Sequence, residues 1–213
     1  LTTAGATNFE GVTGSVTAIG DGTDAAITIN SAGATEFDAT LGTAVGITSD
    51  NGAGAITFRD NVTIAGAGTA TTLLNAITNL DGLTFTSAGN VTFGNAAGTD
   101  QVNLTTAAVA ITTTGTGTLT FTSKVDGGQD LTLTTAGATN FEGVTGSVTD
   151  IGDGTGASII INSAGATEFD ATLDTAVGIT SANGAGAITF RDNVTIVANG
   201  TATTLLNAVT NLD

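Results

Sequence analysis

Gly33-Ala34-Thr35-Glu36-Phe37-Asp38 decides how this chain is read. A glycine stands four residues before a phenylalanine. The same Gly-x-x-x-Phe spacing occurs at Gly5/Phe9, Gly54/Phe58, Gly89/Phe93, Gly117/Phe121, Gly137/Phe141, Gly165/Phe169 and Gly186/Phe190. Eight of the nine phenylalanines obey it, and Phe85 is the exception. Residues two apart on a strand share a face. Ile56 with Phe58, Val91 with Phe93 and Leu119 with Phe121 therefore point to one side, the candidate core. Upstream of each glycine lies another alternating apolar segment, such as Ile27-Thr28-Ile29, Leu83-Thr84-Phe85, Leu131-Thr132-Leu133 or Ile159-Ile160-Ile161. Downstream comes a third, such as Val62 with Ile64. Each unit reads as strand, glycine corner, strand, corner, strand.

Phenylalanines that fit the motif are separated by 28, 21, 35, 28, 20, 28 and 21 residues. Three short strands in 20 to 35 residues is the size of one coil of a parallel β-helix, whereas a propeller blade needs about 40 or more. Equivalent residues then stack coil on coil at roughly 4.8 Å. The phenylalanines would form an internal ladder, with ring stacking added to burial. In the same register Glu10, Asp38 and Arg59 lie above one another, as do Glu142, Asp170 and Arg191. The 35-residue unit predicts an insertion at Thr71–Ile77, with its counterpart at Thr203–Val209.

A larger repeat encloses the smaller. Residues 1–81 recur at 133–213, and 71 of the 81 paired positions are identical, with differences at positions 18, 24, 26, 28, 42, 50, 65, 66, 67 and 77. The first five phenylalanine spacings add up to this 132-residue period. The domain organisation expected is one continuous solenoid over 1–213, with 1–132 a full unit and 133–213 a partial second one. Such a chain reads as an excerpt from a longer tandem array, an architecture built of units that contact only their neighbours.

Composition agrees with an all-β fold. Thr is the commonest residue, Gly numbers 31 and Pro is absent. Branched side chains suit a pleated surface, glycine supplies turns, and no proline bars a segment from pairing. The net charge is −16, from 19 acidic and 3 basic residues. That excludes nucleic acid as a partner, because binding it requires basic groups to neutralise phosphates. It equally argues against charge-driven adhesion to anionic membrane, and no apolar run reaches spanning length.

The residue types also bound the chemistry. Cys and His are absent, and the basic side chains are Lys124, Arg59 and Arg191 alone. The close carboxylate pair Glu36 and Asp38 sits on one face of one strand, whereas a glycosidase needs carboxylates on two sides of a sugar. No enzymatic activity, catalytic residue or cofactor site is expected. Calcium is the cofactor weighed, at Ile19-Gly20-Asp21-Gly22-Thr23-Asp24, whose oxygens suit a hard cation. Asp24 becomes Gly156 in the second copy, Asp50 becomes Ala182, and new acids arise at Asp150 and Asp174. Shifting positions fit a solvated surface better than a ligand set, so no metal ligand is assigned. Thr116, Thr118, Thr120 and Thr122, and likewise Thr132 and Thr134, form threonine rows of the kind ice-binding solenoids use, but the rows do not recur in every coil.

The motifs at 33–38, 54–60 (Gly-Ala-Ile-Thr-Phe-Arg-Asp), 89–94 (Gly-Asn-Val-Thr-Phe-Gly) and 131–137 (Leu-Thr-Leu-Thr-Thr-Ala-Gly) resemble the β-strand repeats of very large bacterial surface proteins, the filamentous-haemagglutinin-like and autotransporter-type adhesins. The resemblance implies export to the cell surface or beyond, a right-handed parallel β-helix, and a role as stalk, adhesin or extracellular fibre. The expected molecule is one parallel β-helix of about seven to eight coils. Its expected partners are further copies of the repeat, end to end in the same chain or as a homopolymer, and a host or surface receptor met through the long coils. Membrane insertion of this segment is not expected.

Overall fold

The computed structural model describes residues 1–14, 17–95, 99–198 and 202–213. They form an all-β parallel solenoid with three sheets running along its axis. Sheet 1 carries Thr7–Phe9, Thr35–Phe37, Ile56–Phe58, Ile77–Asp81, Gln101–Thr105 and Lys124–Asp126. Bridges from Val125 to Thr145 and from Thr145 to Leu173 continue it to Leu173–Thr175 and Val194–Ile196. Sheet 2 carries Leu41–Thr43, Val62–Ile64, Thr84–Ser87, Val109–Thr113, Leu131–Thr135, Ile159–Ile161, Ile179–Ser181 and Thr204–Leu205. Sheet 3 runs from Ile27–Ile29 through Ile47–Ser49, Thr71–Leu73, Val91–Phe93, Leu119–Phe121, Thr139–Phe141, Thr167–Phe169 and Ile188–Phe190 to Thr210–Leu212. Its nine strands give eight coil-to-coil steps, an axial length of roughly 38 Å at the spacing of paired strands.

Most strands have three residues, with the outer two inward and buried and the middle one facing solvent. Inward side chains rest on their counterparts one coil away. In sheet 1 the column is Phe9, Phe37, Phe58, Leu80, Leu104. In sheet 3 it is Leu73, Phe93, Phe121, Phe141, Phe169, Phe190, Leu212. The rings stack nearly parallel within each column, at 4.6–5.3 Å.

The ladder is therefore not one column. It leaves sheet 1 at Phe58 and resumes in sheet 3 at Phe93. Phe85, the residue outside the motif, joins the two from sheet 2 by edge-on contacts of 6.0 Å to Phe58 and 5.7 Å to Phe93. Paired residues lie 20 to 28 apart in sequence, so the 35-residue interval is not a coil. The expected insertion at Thr71–Ile77 is absent: Thr71–Leu73 is a regular strand of sheet 3, Ile77 opens a strand of sheet 1, and Thr204–Leu205 repeats the first of these in sheet 2.

The 132-residue period is likewise not a whole number of coils. Thr7–Phe9 opens the first coil on sheet 1, and Thr139–Phe141 closes the sixth on sheet 3, which is seventeen face-to-face steps, or five and two-thirds turns. Leu41 on sheet 2 recurs as Leu173 on sheet 1, and Ile47 on sheet 3 as Ile179 on sheet 2. Each copy is turned by a third of a revolution against the other, and one core is continuous through both.

Six of the eight motif glycines owe their place to close packing. A Cβ on Gly33 would stand 2.2 Å from the carbonyl oxygen of Gly5, on Gly165 2.0 Å from that of Gly137, and on Gly186 2.3 Å from that of Gly165. None of the three has positive φ. The corner is tight because successive coils meet there backbone on backbone. Gly5 itself has nothing within 4 Å. Gly165→Ala should thus lower the unfolding free energy measured in urea by an overpacking penalty of about 1–3 kcal/mol, whereas Gly5→Ala should leave it within about 0.5 kcal/mol of the parent.

Candidate functional site

The outward face of sheet 1 holds a charged cluster. The Arg59 guanidinium donates to Asp38 from Nε at 3.0 Å, to Asp81 from Nη1 at 2.9 Å and to Glu36 from Nη2 at 3.4 Å. The stack of Asp38 and Arg59 read from the sequence is present. Glu36 and Asp81 were missed, because Glu36 lies diagonally across the pair and Asp81 belongs to the coil above. Hydrogen bonding to Glu36 raises the pKa of Arg59 above its ordinary value. In the second copy Arg191 takes Asp170 at 2.9 Å and Glu168 at 3.3 Å, now on sheet 3. Glu36 and Asp38, the carboxylate pair considered for catalysis, thus both serve one guanidinium.

In the second copy an excursion leaves the solenoid. Thr145 and Ile151 bridge to Leu173 and Thr175, so the five residues Gly146–Asp150 oppose the single Asp174 and bulge from the face. Val148 at the tip is 74% exposed. Beneath it, buried Asp126 accepts a hydrogen bond from the Val148 amide at 2.9 Å and two longer ones from the Ser147 hydroxyl. The first copy bridges Thr13 to Leu41 and Ile19 to Thr43 in the same way. This is the insertion that the sequence placed elsewhere, and its coils are not conspicuous because they are only 28 residues long.

The loop weighed for calcium begins at the Ile19 bridge. Asp21 Oδ1 accepts from both the amide and the hydroxyl of Thr23, at 3.0 and 2.7 Å, and Asp153 does the same with Thr155, at 2.8 and 2.7 Å. These bonds hold both carboxyls below the ordinary range, the hydroxyl contributing most. Gly20 and Gly22 have φ of +105° and +89°, which favours glycine at both positions. No group of three or more acidic side chains is positioned to hold a metal ion among the described residues.

Asp130 stands next to Asp153, whose amide donates to its Oδ1 at 3.3 Å. Burial, reinforced by the neighbouring carboxylate, raises the Asp130 pKa.

Threonine columns are more regular than the sequence spacing shows. Thr28, Thr48, Thr72, Thr92 and Thr120 follow one another on five consecutive rungs of sheet 3. On sheet 2, Thr63, Thr86, Thr112 and Thr134 do so on four. The eight strands of sheet 2 contain no charged residue, whereas those of sheet 1 contain Glu36, Asp81, Lys124, Asp126 and Asp174.

Beside the Thr13 and Ile19 bridges, a cleft of about 450 Å³ opens on the outer side of sheet 2, lined among others by Val12, Thr13, Ala18, Gly42, Thr63 and Ala65. Three of the ten differences between the copies fall in this lining, where Ala18, Gly42 and Ala65 become Asp150, Asp174 and Val197.

Comparison of the chain with family models, with curated proteins and with solved structures finds no match.

An acid whose folded pKa lies above its unfolded value destabilises the fold when ionised, and that cost disappears as pH falls below both values. Asp130→Asn keeps the acceptor for the Asp153 amide and removes the charge. It should raise the urea midpoint at pH 7, with the gain vanishing near pH 3.

Proposed function

We propose that this chain is a structural repeat segment of a bacterial extracellular fibre, stalk or surface adhesin, working at the cell surface or outside it. The observation that carries the reading is that two copies in different rotational phase share one unbroken core. Because the unit joins itself through one continuous core, repetition lengthens the rod and turns each copy's surface by a third of a revolution. Rung-to-rung hydrogen bonds run along the axis, so axial load falls on the backbone ladder and on the buried columns. The resemblance of the strand motifs to large surface adhesins supports the extracellular setting, and the net charge of −16 keeps neighbouring rods apart. The partners of this reading are further copies of the repeat. The parent chain purified from its native source should have a mass far above 20.5 kDa and appear in negative stain as long thin rods. Short compact particles would overturn the reading.

A second reading, a glycan- or protein-binding adhesin module, is favoured by the cleft lined by Val12, Ala18 and Gly42. The copies are otherwise nearly identical, yet the lining differs at three places. In this reading the copies are specialised for binding rather than for length. Binding on a glycan or host-protein array that is lost in Ala18→Asp/Gly42→Asp, with the urea midpoint preserved, is the result it expects.

A further inference from the structure

The second copy ends in the coil Val194–Leu212, whose counterpart in the first copy is Val62–Leu80. The same residues differ sharply in cover. Val62, Ile64 and Leu80 are 0, 2 and 0% exposed, whereas Val194, Ile196 and Leu212 are 38, 41 and 80% exposed. In the first copy the covering coil is explicit: Phe85 lies on Val62, Val91 on Thr71, Phe93 on Leu73 and Leu104 on Leu80. The Ala88 amide donates to Ile64 at 3.0 Å and the Gly94 amide to Leu73 at 2.7 Å.

The opposite end shows the same contrast. Leu1 is 38% exposed and its counterpart Leu133 is fully buried. Phe9 and Ile27 are half-buried, while Phe141 and Ile159 are buried. In the second copy the coil beneath is again explicit: Ile111 lies under Leu133, Phe121 under Phe141, Val125 under Thr145 and Leu131 under Ile159.

The two covering coils belong to one contiguous stretch. The segment that follows Asp81 begins at Gly82, and the segment that precedes Leu133 ends at Thr132. We infer that both end coils recognise the same partner, the 51-residue stretch Gly82–Thr132 of another copy of the repeat, and that two 1–213 solenoids do not join directly. This rests on the array reading above and names the sequence that fits each end. In a direct joint that lays Phe9 on Leu212, Glu10 falls beside Asp213, where the cognate coil brings Thr105, which donates to Asp81 at 3.2 Å. The same joint sets Val194–Ile196, which has no carboxylate, where Lys124–Asp126 supplies Asp126 to the excursion. The ends are apolar enough to be covered, and they are matched to one occupant.

The test compares chain 1–213 with a lengthened chain in which a second copy of the sequence 82–132 follows residue 213. Sedimentation over a wide concentration range should show 1–213 monomeric and the lengthened chain, whose two ends now match, assembling into end-to-end rods. Hydrogen exchange over 194–212 should slow in the lengthened chain to the rate of 62–80. If 1–213 polymerises as readily as the lengthened chain, or if the lengthened chain stays monomeric with 194–212 protected, the matching of ends is overturned and the array reading stands. If 194–212 exchanges as fast as in 1–213, the array reading falls, and the inference with it. Should the lengthened chain fail to fold, a 51-residue polypeptide of sequence 82–132 added to 1–213 gives the same answer. It should protect both 1–29 and 194–212, and protection no greater than a scrambled polypeptide provides overturns the inference.

Discussion

Every feature of this molecule depends on one constraint: an inward side chain must find its counterpart one coil above and one coil below. The coil has no core of its own. Three strands of three residues enclose only a thin slice of apolar volume, and that slice leaves water only when the next coil closes over it. The contrast between fully buried Leu80 and largely exposed Leu212 is that dependence seen at a single residue type. Stacking like on like then selects the residues. Flat rings pile at 4.6–5.3 Å, close to the spacing of paired strands, and branched aliphatics fill the columns between. At six of the eight motif corners, those of Gly33, Gly54, Gly117, Gly137, Gly165 and Gly186, the coils touch backbone on backbone and leave room for glycine only.

The same constraint leaves the repeat length free. Because columns match coil by coil and not copy by copy, a unit of five and two-thirds turns fits as well as one of six, provided the core can change its occupant. Phe85 makes that change. It turns edge-on between Phe58 and Phe93 and so links a phenylalanine column on sheet 1 to one on sheet 3. The consequence is borne by the surface. The Arg59 cluster points outward from sheet 1 and its Arg191 copy from sheet 3, so charge is distributed around the rod instead of lining one edge. Where the copies differ in the interior, the change is locally satisfied: Ala26 becomes buried Ser158, whose hydroxyl accepts the Val177 amide at 2.9 Å.

Much of this was legible in the sequence, since alternation and the Gly-x-x-x-Phe rhythm report a strand's two faces directly. The inward positions of Ile56, Phe58, Leu119 and Phe121 and the stacking of Asp38 on Arg59 follow from period two alone. What the sequence hid is which strand lies on which. Coils vary between 20 and 28 residues, so equal motifs need not share a face, and the 35-residue interval that reads as an insertion is a coil and two-thirds. The true excursion at Gly146–Asp150 escaped because its coil length is ordinary for the motif. The role of Asp126 escaped too, since its partner amide at Val148 is 22 residues away. The threonine columns on sheets 2 and 3 were hidden for the same reason. The motif glycines were placed correctly at corners, but the cause is contact between coils and not a left-handed backbone.

Hydrogen exchange measured amide by amide on chain 1–213 tests the central claim most directly, because it reads each rung separately. A single stack with one shared core predicts an unbroken protected block from Thr35 to Phe190, declining smoothly into the two end coils. Protection should continue through Phe85 and Phe93, where the ladder changes sheet, and across the junction of the copies at Thr132 and Leu133. A fast-exchanging break at either place would mean that the copies fold as separate units, which would contradict a core that runs through both.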